Sequence, residues 1–376
     1  MFKRVDPNLV RKVEKFGKKD DWNDCFHCGN CTAICPLTEQ GFLFPRKVIR
    51  TMQLGLKDNL VASVEPWLCY YCGDCSKTCP REANPGELMM TLRRYLTSAY
   101  DWTGLSLKFY TSKFWEFGSL IIMALAVIIL FGFINPFPIV KDLNDAGGVQ
   151  INKMFPIKWV ELGDLIMAAI VAAFLISNIF RMWYKTILKD KSLKVPFVSY
   201  FIEFYRLILH FATQKRFSKC SGKTYWAGHW LLMSGYVIMF TIIVVFLPWF
   251  QTEKIYNWYD PQRILGYYAT AGLLFGLFWA FFGRMNKKSE KFKFTHISDW
   301  LFLIMLILTT ITGILIHIFR INGMPLATYY MYIAHMAVLV PMILIEVPFS
   351  KWSHLAYRPF AVYFAHIKKA ALKGKK

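Results

Sequence analysis

The sequence predicts an all-α protein in which a small cysteine-rich domain precedes six membrane-spanning helices. Two observations predict this fold class: a cysteine motif repeated between Cys25 and Cys79, and apolar runs that approach the length of a membrane helix. No alternation of apolar and polar residues is strong enough to indicate a sheet. Of the 376 residues, 55% are hydrophobic and 17% aromatic, which is a membrane composition and excludes an ordinary soluble protein.

The cysteine motif reads C-x2-C-x2-C-x3-C-P in both copies, which begin at Cys25 and Cys69. This spacing is that of [4Fe-4S] ligands in two-cluster ferredoxins, where the fourth cysteine of each motif binds the other cluster. Zinc sites use one or two C-x2-C pairs, so zinc and disulfides are the weaker alternatives. We therefore predict two clusters, one on Cys25, Cys28, Cys31 and Cys79, and the other on Cys69, Cys72, Cys75 and Cys35.

Helices are expected around the two motifs. They are an amphipathic helix within residues 1–24, a helix from Pro45 through Leu54, and one from Pro85 to about Tyr100. Cluster ligands are reduced thiolates, which favours a cytoplasmic location. Residues 1–100 are therefore predicted to be a cytoplasmic helical ferredoxin domain, followed by an interfacial linker at 101–116.

Each predicted span is near the ~20 residues that a helix needs to cross the hydrocarbon core. A weaker apolar stretch at about 196–211 is interrupted by Glu203, Arg206 and His210, so we predict a helix lying in the interface. Residues 117–354 would form the membrane domain, and 355–376 a basic cytoplasmic tail. The spans are predicted at about Phe117–Phe133, Trp159–Met182, Tyr225–Phe250, Ile264–Phe282, Asp299–Phe319 and Tyr329–Val347.

The basic residues predict the orientation of the spans. With residues 1–100 in the cytoplasm, the connections on that side carry 22 Lys and Arg, against 6 in the opposite connections. This is the positive-inside rule, so we expect a multi-pass protein of the cytoplasmic (inner) membrane with both termini in the cytoplasm. The net charge of +21 is explained by topology and contact with anionic lipid, with no need for nucleic acid.

Four histidines fall in or at the ends of the predicted spans, in two pairs at matched depth. His229 and His354 would lie near the cytoplasmic side, and His317 and His335 near the opposite side. His335 and His354 are 19 residues apart, which is at most ~28 Å along a helix and close to the thickness of the core. Polar groups at such depth are costly unless they have a function, and haem iron is commonly ligated by histidine. We therefore predict two b-type haems, each between two histidines.

The last predicted span resembles that of the nitrate reductase gamma-subunit family of dihaem cytochromes b. The resemblance lies in His335 and in the segment from Pro348 to His354, and His229 resembles the partner of the cytoplasmic-side ligand. That family has a second histidine ten residues further on, where this chain has Met239. His317 then looks like its replacement, and Met239 is the weaker alternative. His210 and His296 are further candidates to displace one of the four. With the cysteine motifs and the apolar runs, this predicts an all-α fold: a helical two-[4Fe-4S] ferredoxin domain followed by a six-helix transmembrane cytochrome b domain.

The N-terminal half resembles the small iron-sulfur subunit of heterodisulfide reductase, in Pro66 to Cys69, Cys79 to Arg81 and Glu87 to Met89. Both halves in one chain resemble the QmoC family, the membrane subunits of quinone-interacting membrane-bound oxidoreductase complexes in sulfate-reducing microorganisms. The resemblance implies QmoA-like and QmoB-like flavin and iron-sulfur partners. It also implies electron flow from menaquinol towards adenylylsulfate reductase, with this chain as an electron conduit and another subunit reducing the substrate.

A quinone site needs an apolar slot and a proton acceptor. The candidates are Glu346 within the sixth span, Asp299 at the start of the fifth, and Arg206 with its neighbours on the interfacial helix. An intramembrane carboxylate is costly and often belongs to a proton path, which favours Glu346, although a neutral packing role is the alternative. Arg263 and Arg320 could pair with propionates or anchor the interface. Two other functions stay open: a heterodisulfide-reductase-like or sulfite-reduction-linked membrane subunit, and a membrane polyferredoxin for cofactor assembly.

Overall fold

The computed structural model describes residues 5–17, 22–134, 147–215, 217–218 and 222–373. Over these residues the chain is helical and has no β-strand, which confirms the all-α class. The leftover cysteine of the sequence, Cys220, lies outside the described residues, as do the last three residues of the predicted tail.

The cysteine domain, described over residues 5–17 and 22–100, consists of short helices around one longer helix. The longer helix runs from Pro85 to Tyr100 as predicted, and its Leu88, Leu92 and Leu96 are buried. The helix expected within residues 1–24 is shorter, because Pro7 precedes it and Gly17 follows it. The other helices are Leu9–Glu14, Asn30–Ala33, Pro36–Glu39, Arg46–Gln53, Lys57–Val61, Glu65–Leu68 and Asp74–Lys77.

Six helices in the described part of the chain are long and apolar enough to span a membrane. The sixth is irregular: its α-helix ends at Pro341, and a π-helical turn from Met342 to Glu346 follows. A proline inside a helix removes a backbone hydrogen bond, which accounts for the irregularity. The six spans, numbered in chain order, are Lys113–Phe133, Ile157–Leu188, Lys223–Val245, Pro261–Asn286, Ile297–Ile321 and Pro325–Phe349.

Shorter helices connect the spans and flank them. Leu105–Thr111 precedes the first span, within the predicted linker. The predicted interfacial segment forms two helices, Phe197–Ile202 and Phe204–Thr213, with exposed apolar residues such as Phe197 and Phe201. The remaining short helices are Ile151–Met154, Leu247–Phe250, Glu290–Lys293, Val347–Phe349 and the 3-10 turn Lys351–Ser353.

The third to sixth spans pack side by side in chain order, and the first span packs against the sixth. The third packs against the fourth, the fourth against the fifth, the fifth against the sixth, and the sixth against the first. The second span contacts the third span and the irregular part of the sixth. This arrangement places the second to sixth spans around a common interior.

The segment predicted as a basic tail forms the helix His354–Lys373, which packs on the cysteine domain. Its buried residues share one apolar core with Trp67 and the Pro85–Tyr100 helix, and the rings of Trp67 and Tyr357 lie 5.1 Å apart. Lys368 Nζ donates a 2.9 Å hydrogen bond to the carbonyl of Ala62. The cysteine domain is therefore docked on the membrane helices through the C-terminal helix.

Candidate cofactor sites

The two cysteine motifs form loops of the same backbone conformation. Each loop has positive φ at two matching positions, which are His27 and Gly29 in the first and Tyr71 and Gly73 in the second. The backbone N–H of Tyr71 also donates a 3.3 Å hydrogen bond to Sγ of Cys69. Hydrogen bonds to sulfur are one means by which a protein tunes the potential of an iron-sulfur cluster. The two copies of the cysteine motif therefore share a backbone conformation as well as a sequence spacing.

Cysteines of different motifs lie together. One cavity, with an empty volume of about 380 Å³, is lined by Cys35, Cys69, Cys72 and Cys75. Electrostatic interactions join the thiols of the remaining four, Cys25, Cys28, Cys31 and Cys79. The fourth cysteine of each motif thus groups with the first three of the other, as the crossed assignment requires. Burial raises the pKa of Cys35 to about 12, so a cluster that binds there has to displace a thiol proton.

The spacing of these side chains also bears on zinc. A zinc ion holds each sulfur ligand at about 2.3 Å from a single centre. Over the described ranges, no three His, Cys, Asp or Glu side chains are close enough together to hold one metal ion. Four of the cysteines, Cys35, Cys69, Cys72 and Cys75, instead line the cavity described above.

A large cleft, which we call the junction cleft, lies between the cysteine domain and the membrane helices. Its empty volume, open space included, is about 1560 Å³. Tyr70 and Tyr71 of the second cysteine loop line one side, while His229 and His354 line another. A cofactor held by these histidines would therefore lie beside the second cysteine loop.

His229 and His354 are both oriented as metal-binding histidines usually are. Nδ1 of His229 is 2.7 Å from Oε1 of Gln214, and Nδ1 of His354 is 2.7 Å from the carbonyl of Lys351. Because these oxygens can only accept, each Nδ1 carries the proton and each Nε2 keeps its lone pair. Burial lowers the pKa of His354 to about 3, which keeps the imidazole neutral. Each of the two side chains would therefore be able to offer Nε2 to a haem iron.

A buried chain of charged and polar groups runs along the junction cleft. Tyr71 donates a 2.9 Å hydrogen bond from its hydroxyl to Glu87, whose other carboxylate oxygen pairs with Arg94 at 3.3 Å. Arg94 also pairs with Asp299 at 3.3 Å, and Asp299 pairs with Lys351 at 2.5 Å. Burial raises the pKa of Glu87, which the positive charge of Arg94 partly offsets. Asp299, a predicted quinone-site residue, thus joins the cysteine domain to the fifth span.

A second cleft, which we call the distal cleft, opens among the second to sixth spans at the end away from the cysteine domain. Its empty volume, open space included, is about 1720 Å³, and its lining is mostly apolar. His317, His335 and Met239 all line it. The structure therefore brings the predicted far-side pair to one cleft, together with the alternative ligand.

The two distal histidines differ in their hydrogen bonds. Nδ1 of His335 lies 2.8 Å from Oγ1 of Thr312, whose own proton goes to a backbone carbonyl, so His335 matches the junction pair. His317 has both ring nitrogens engaged, Nδ1 by Arg263 at 2.9 Å and Nε2 by the hydroxyl of Tyr267 at 3.0 Å. His335 fits an axial position, whereas His317 as arranged does not.

The other predicted quinone-site residues lie apart from both clefts. Glu346 is fully buried, and Glu116 of the first span, with which it interacts electrostatically, is buried as well. Arg206 pairs with Glu203, which directly precedes its helix, and lines neither cleft. Arg320, which was predicted to pair with a propionate or anchor the interface, does line the distal cleft and donates to the backbone carbonyls of Val149 and Thr252. Arg206 is therefore not brought together with Asp299, whereas Glu346 interacts electrostatically with Asp299 although it lines neither cleft.

Two glycines of the spans and two further histidines also have defined surroundings. A Cβ on Gly235 would lie 2.7 Å from the carbonyl of Ala269, so Gly235 serves close packing of the third and fourth spans. Gly313 lies beside the ring of His335. His210 lines a smaller cavity together with His229 and His354. His296 caps the fifth span by accepting from the backbone of Ser298.

Some residues of these sites were missed by sequence reasoning. Tyr267 follows Arg263 by four residues, a spacing that places both on one face of the helix Pro261–Asn286, but the predicted span began only at Ile264. Arg94 belongs to the predicted helix Pro85–Tyr100, which carries a stripe of leucines. A charged residue in such a helix, if buried, needs an ion-pair partner, so a partner for Arg94 could have been sought. Gln214 gave no such signal, because it follows a helix end in a loop.

Comparison with known proteins covers the N-terminal part of the chain. Residues 21–83 match the family model of a 4Fe-4S dicluster domain. A protein of Archaeoglobus profundus described as like the C subunit of heterodisulfide reductase is 37% identical over 101 residues, which are 27% of this chain and 53% of that protein. The C subunit of the H(2):CoB-CoM heterodisulfide,ferredoxin reductase of Methanothermobacter thermautotrophicus is 31% identical over 64 residues, 17% of this chain and 34% of that protein.

The chain thus spans about half of the length of the first relative and about a third of the second. No solved structure matches the chain. The N-terminal part of the chain contains a 4Fe-4S dicluster domain and is similar to the C subunit of heterodisulfide reductase, and the remainder contributes six helices that can span a membrane.

Proposed function

We propose that this chain is the membrane electron-transfer subunit of a quinone-interacting oxidoreductase complex. The observation that carries the proposal is the junction cleft. There, two histidines in the orientation of haem ligands share one space with the loop that holds the second set of cysteines. With haem bound to these histidines, a redox site of the membrane helices would lie next to a redox site of the cysteine domain.

The proposed carriers are two [4Fe-4S] clusters on the crossed cysteine sets and b-type haem on histidines of the spans. Clusters and haems supply one-electron redox chemistry, while the protein supplies ligands, spacing and electrostatics. His229 and His354 would hold haem in the junction cleft. In the distal cleft His335 is the candidate ligand, and the thioether of Met239 is the alternative to His317.

Menaquinol is the proposed electron donor, and cytoplasmic flavin and iron-sulfur subunits are the proposed acceptors. The bias of Lys and Arg supports a cytoplasmic cysteine domain, from which electrons would leave. The resemblance to the QmoC family supports QmoA-like and QmoB-like partners and adenylylsulfate reductase as the later acceptor. Asp299 would act through its ion pairs to hold the two redox regions together.

A second candidate is the membrane subunit of a heterodisulfide-reductase-like complex. It is favoured by the names of the two relatives, one described as the C subunit of a heterodisulfide reductase and the other as a protein like that subunit. It uses the same carriers and differs in the soluble partners. Identification of the subunits that co-purify with the chain separates the two candidates.

The proposal is tested on the purified complex with two measurements. A pyridine haemochrome assay counts b haem, and electron paramagnetic resonance follows reduction of the clusters after addition of menadiol. We expect b haem together with cluster reduction by the quinol. Intact clusters without b haem would remove the quinol-oxidising function and favour a polyferredoxin that serves cofactor assembly.

A further inference from the structure

We propose that Arg263, Tyr267 and His317 form the binding site for the head group of a quinone in the distal cleft. In this assignment His317 donates a hydrogen bond to a ring oxygen of the quinone and does not ligate iron. The inference rests on the proposed function, because it takes a quinol as the substrate of the membrane helices. It adds the residues that recognise this substrate.

The protonation of His317 follows from its neighbours. A guanidinium has only donors, so Arg263 must donate to Nδ1 of His317 across the 2.9 Å contact. A neutral imidazole that accepts at Nδ1 carries its proton at Nε2. That N–H points to the hydroxyl of Tyr267 at 3.0 Å. The lone pair that iron would need at Nε2 is therefore absent.

The other three candidate ligands have the opposite arrangement. His229, His354 and His335 each direct Nδ1 to an oxygen that accepts, which leaves the Nε2 lone pair. Metal-binding histidines almost always donate their second N–H to the protein in this way. Among the four histidines, His317 alone has a cation, the guanidinium of Arg263, next to Nδ1, where a haem ligand needs a hydrogen-bond acceptor.

The surroundings of His317 suit a quinone. The distal cleft is lined mainly by aliphatic and aromatic side chains, with a few polar groups at this place. This is the composition of pockets that bind a flat apolar molecule and orient it by one or two polar contacts. Arg263 is 8% exposed, and its charge would favour developing negative charge on a bound oxygen.

The group can also be reached from outside the bundle. Tyr267 is 39% exposed and His317 is partly exposed, whereas Arg263 behind them is buried. A ring oxygen that entered the cleft could replace the tyrosine hydroxyl as the acceptor of the Nε2 proton of His317. The hydroxyl of Tyr267 would then be available as a second donor.

The test compares substitutions in the purified complex. The variants are His317→Leu, His317→Gln, which retains an N–H donor, and Tyr267→Phe. Tyr268→Phe is the matched control, because the hydroxyl of Tyr268 bonds to Ser234 and lies outside the cleft lining. Haem is counted by pyridine haemochrome, and binding is measured by fluorescence quenching of a hydroxyquinoline N-oxide, a quinone-site inhibitor.

We expect His317→Leu to keep the haem count and spectrum of the wild type and to weaken inhibitor binding about tenfold or more, since it loses a charge-supported donor. His317→Gln should weaken binding less than His317→Leu, and Tyr268→Phe should not change it. Loss of a haem in His317→Leu would identify an iron ligand and overturn the proposal, as would unchanged binding. Failure of the wild type to bind the inhibitor or oxidise menadiol would instead contradict the proposed function.

Discussion

The junction cleft and the distal cleft contain the same kind of side chain, a buried or half-buried histidine, in two different settings. In the junction cleft, Nδ1 of both His229 and His354 meets an accepting oxygen. In the distal cleft His335 repeats this arrangement, but His317 faces the guanidinium of Arg263. The comparison teaches that position along a span does not define a ligand. The hydrogen-bond partner of Nδ1 decides whether a histidine can bind iron, because it determines whether Nε2 keeps its lone pair.

The largest expected effect is at the junction cleft. We expect His354→Ala to abolish binding of the junction haem, since the proposed pair would be reduced to His229. The distal cleft should keep its properties, because its residues are on other parts of the spans. Optical spectra and the haem count of the purified variant measure this outcome. A His354→Ala variant with the full haem count would show that His354 is not a haem ligand and would contradict the difference proposed between the two clefts.

The next effect concerns the cysteine domain alone. We expect Cys79→Ala to lose or damage the cluster of the first motif, because Cys79 groups with Cys25, Cys28 and Cys31. Electron paramagnetic resonance of the reduced protein separates the two clusters. The control is Cys35→Ala, which should instead affect the cluster of the second motif. The opposite pattern would contradict the crossed assignment.

A smaller effect is expected from the ion pairs that join the two regions. Arg94→Met leaves Glu87 and Asp299 without their shared cation, and breaking a buried ion pair costs about 3–5 kcal/mol. We expect a lower midpoint of thermal unfolding and faster proteolysis between the cysteine domain and the first span. Lys12→Met is the control, since its ion pair with Asp6 is exposed. Equal effects of the two variants would show that Arg94 does not fix the junction.

The smallest expected effect is at the residue that orients His229. Gln214→Leu removes the acceptor at Nδ1 while it leaves the imidazole in place. Loss of such a supporting group costs about 10–100-fold in metal affinity, so haem should remain bound but dissociate more readily. Transfer of haem to apomyoglobin measures the rate. A rate like that of the wild type would mean that the Gln214 contact does not support the ligand.

The sequence predicted the helices and their order because those depend on local pattern. The spans follow from runs of apolar residues, and the Pro85–Tyr100 helix follows from Pro85 and its leucine stripe. The docked C-terminal helix was predicted as a tail, since its basic residues mark a membrane side but do not reveal that Tyr357 and Ile367 are buried.

The candidate sites were only partly predictable, because some of their contacts are local in sequence and others are not. Cysteine spacing is local, and it anticipated the two groups of cysteines that the structure brings together. The ion pair between Arg94 and Asp299 joins residues 205 positions apart, and the contact between Arg263 and His317 joins residues 54 apart. Such pairs depend on how the spans are placed around each other, which no short motif encodes.

The C-terminal helix has a mechanical consequence. Its first residue is His354, and its body is packed into the core of the cysteine domain. The helix has 20 residues and is about 30 Å long, and Pro359 removes one backbone hydrogen bond from its first part. A partner protein that tilted the cysteine domain would move this helix and with it the imidazole of His354. Under the proposed function, docking of a partner outside the membrane would therefore change the position of a proposed haem ligand.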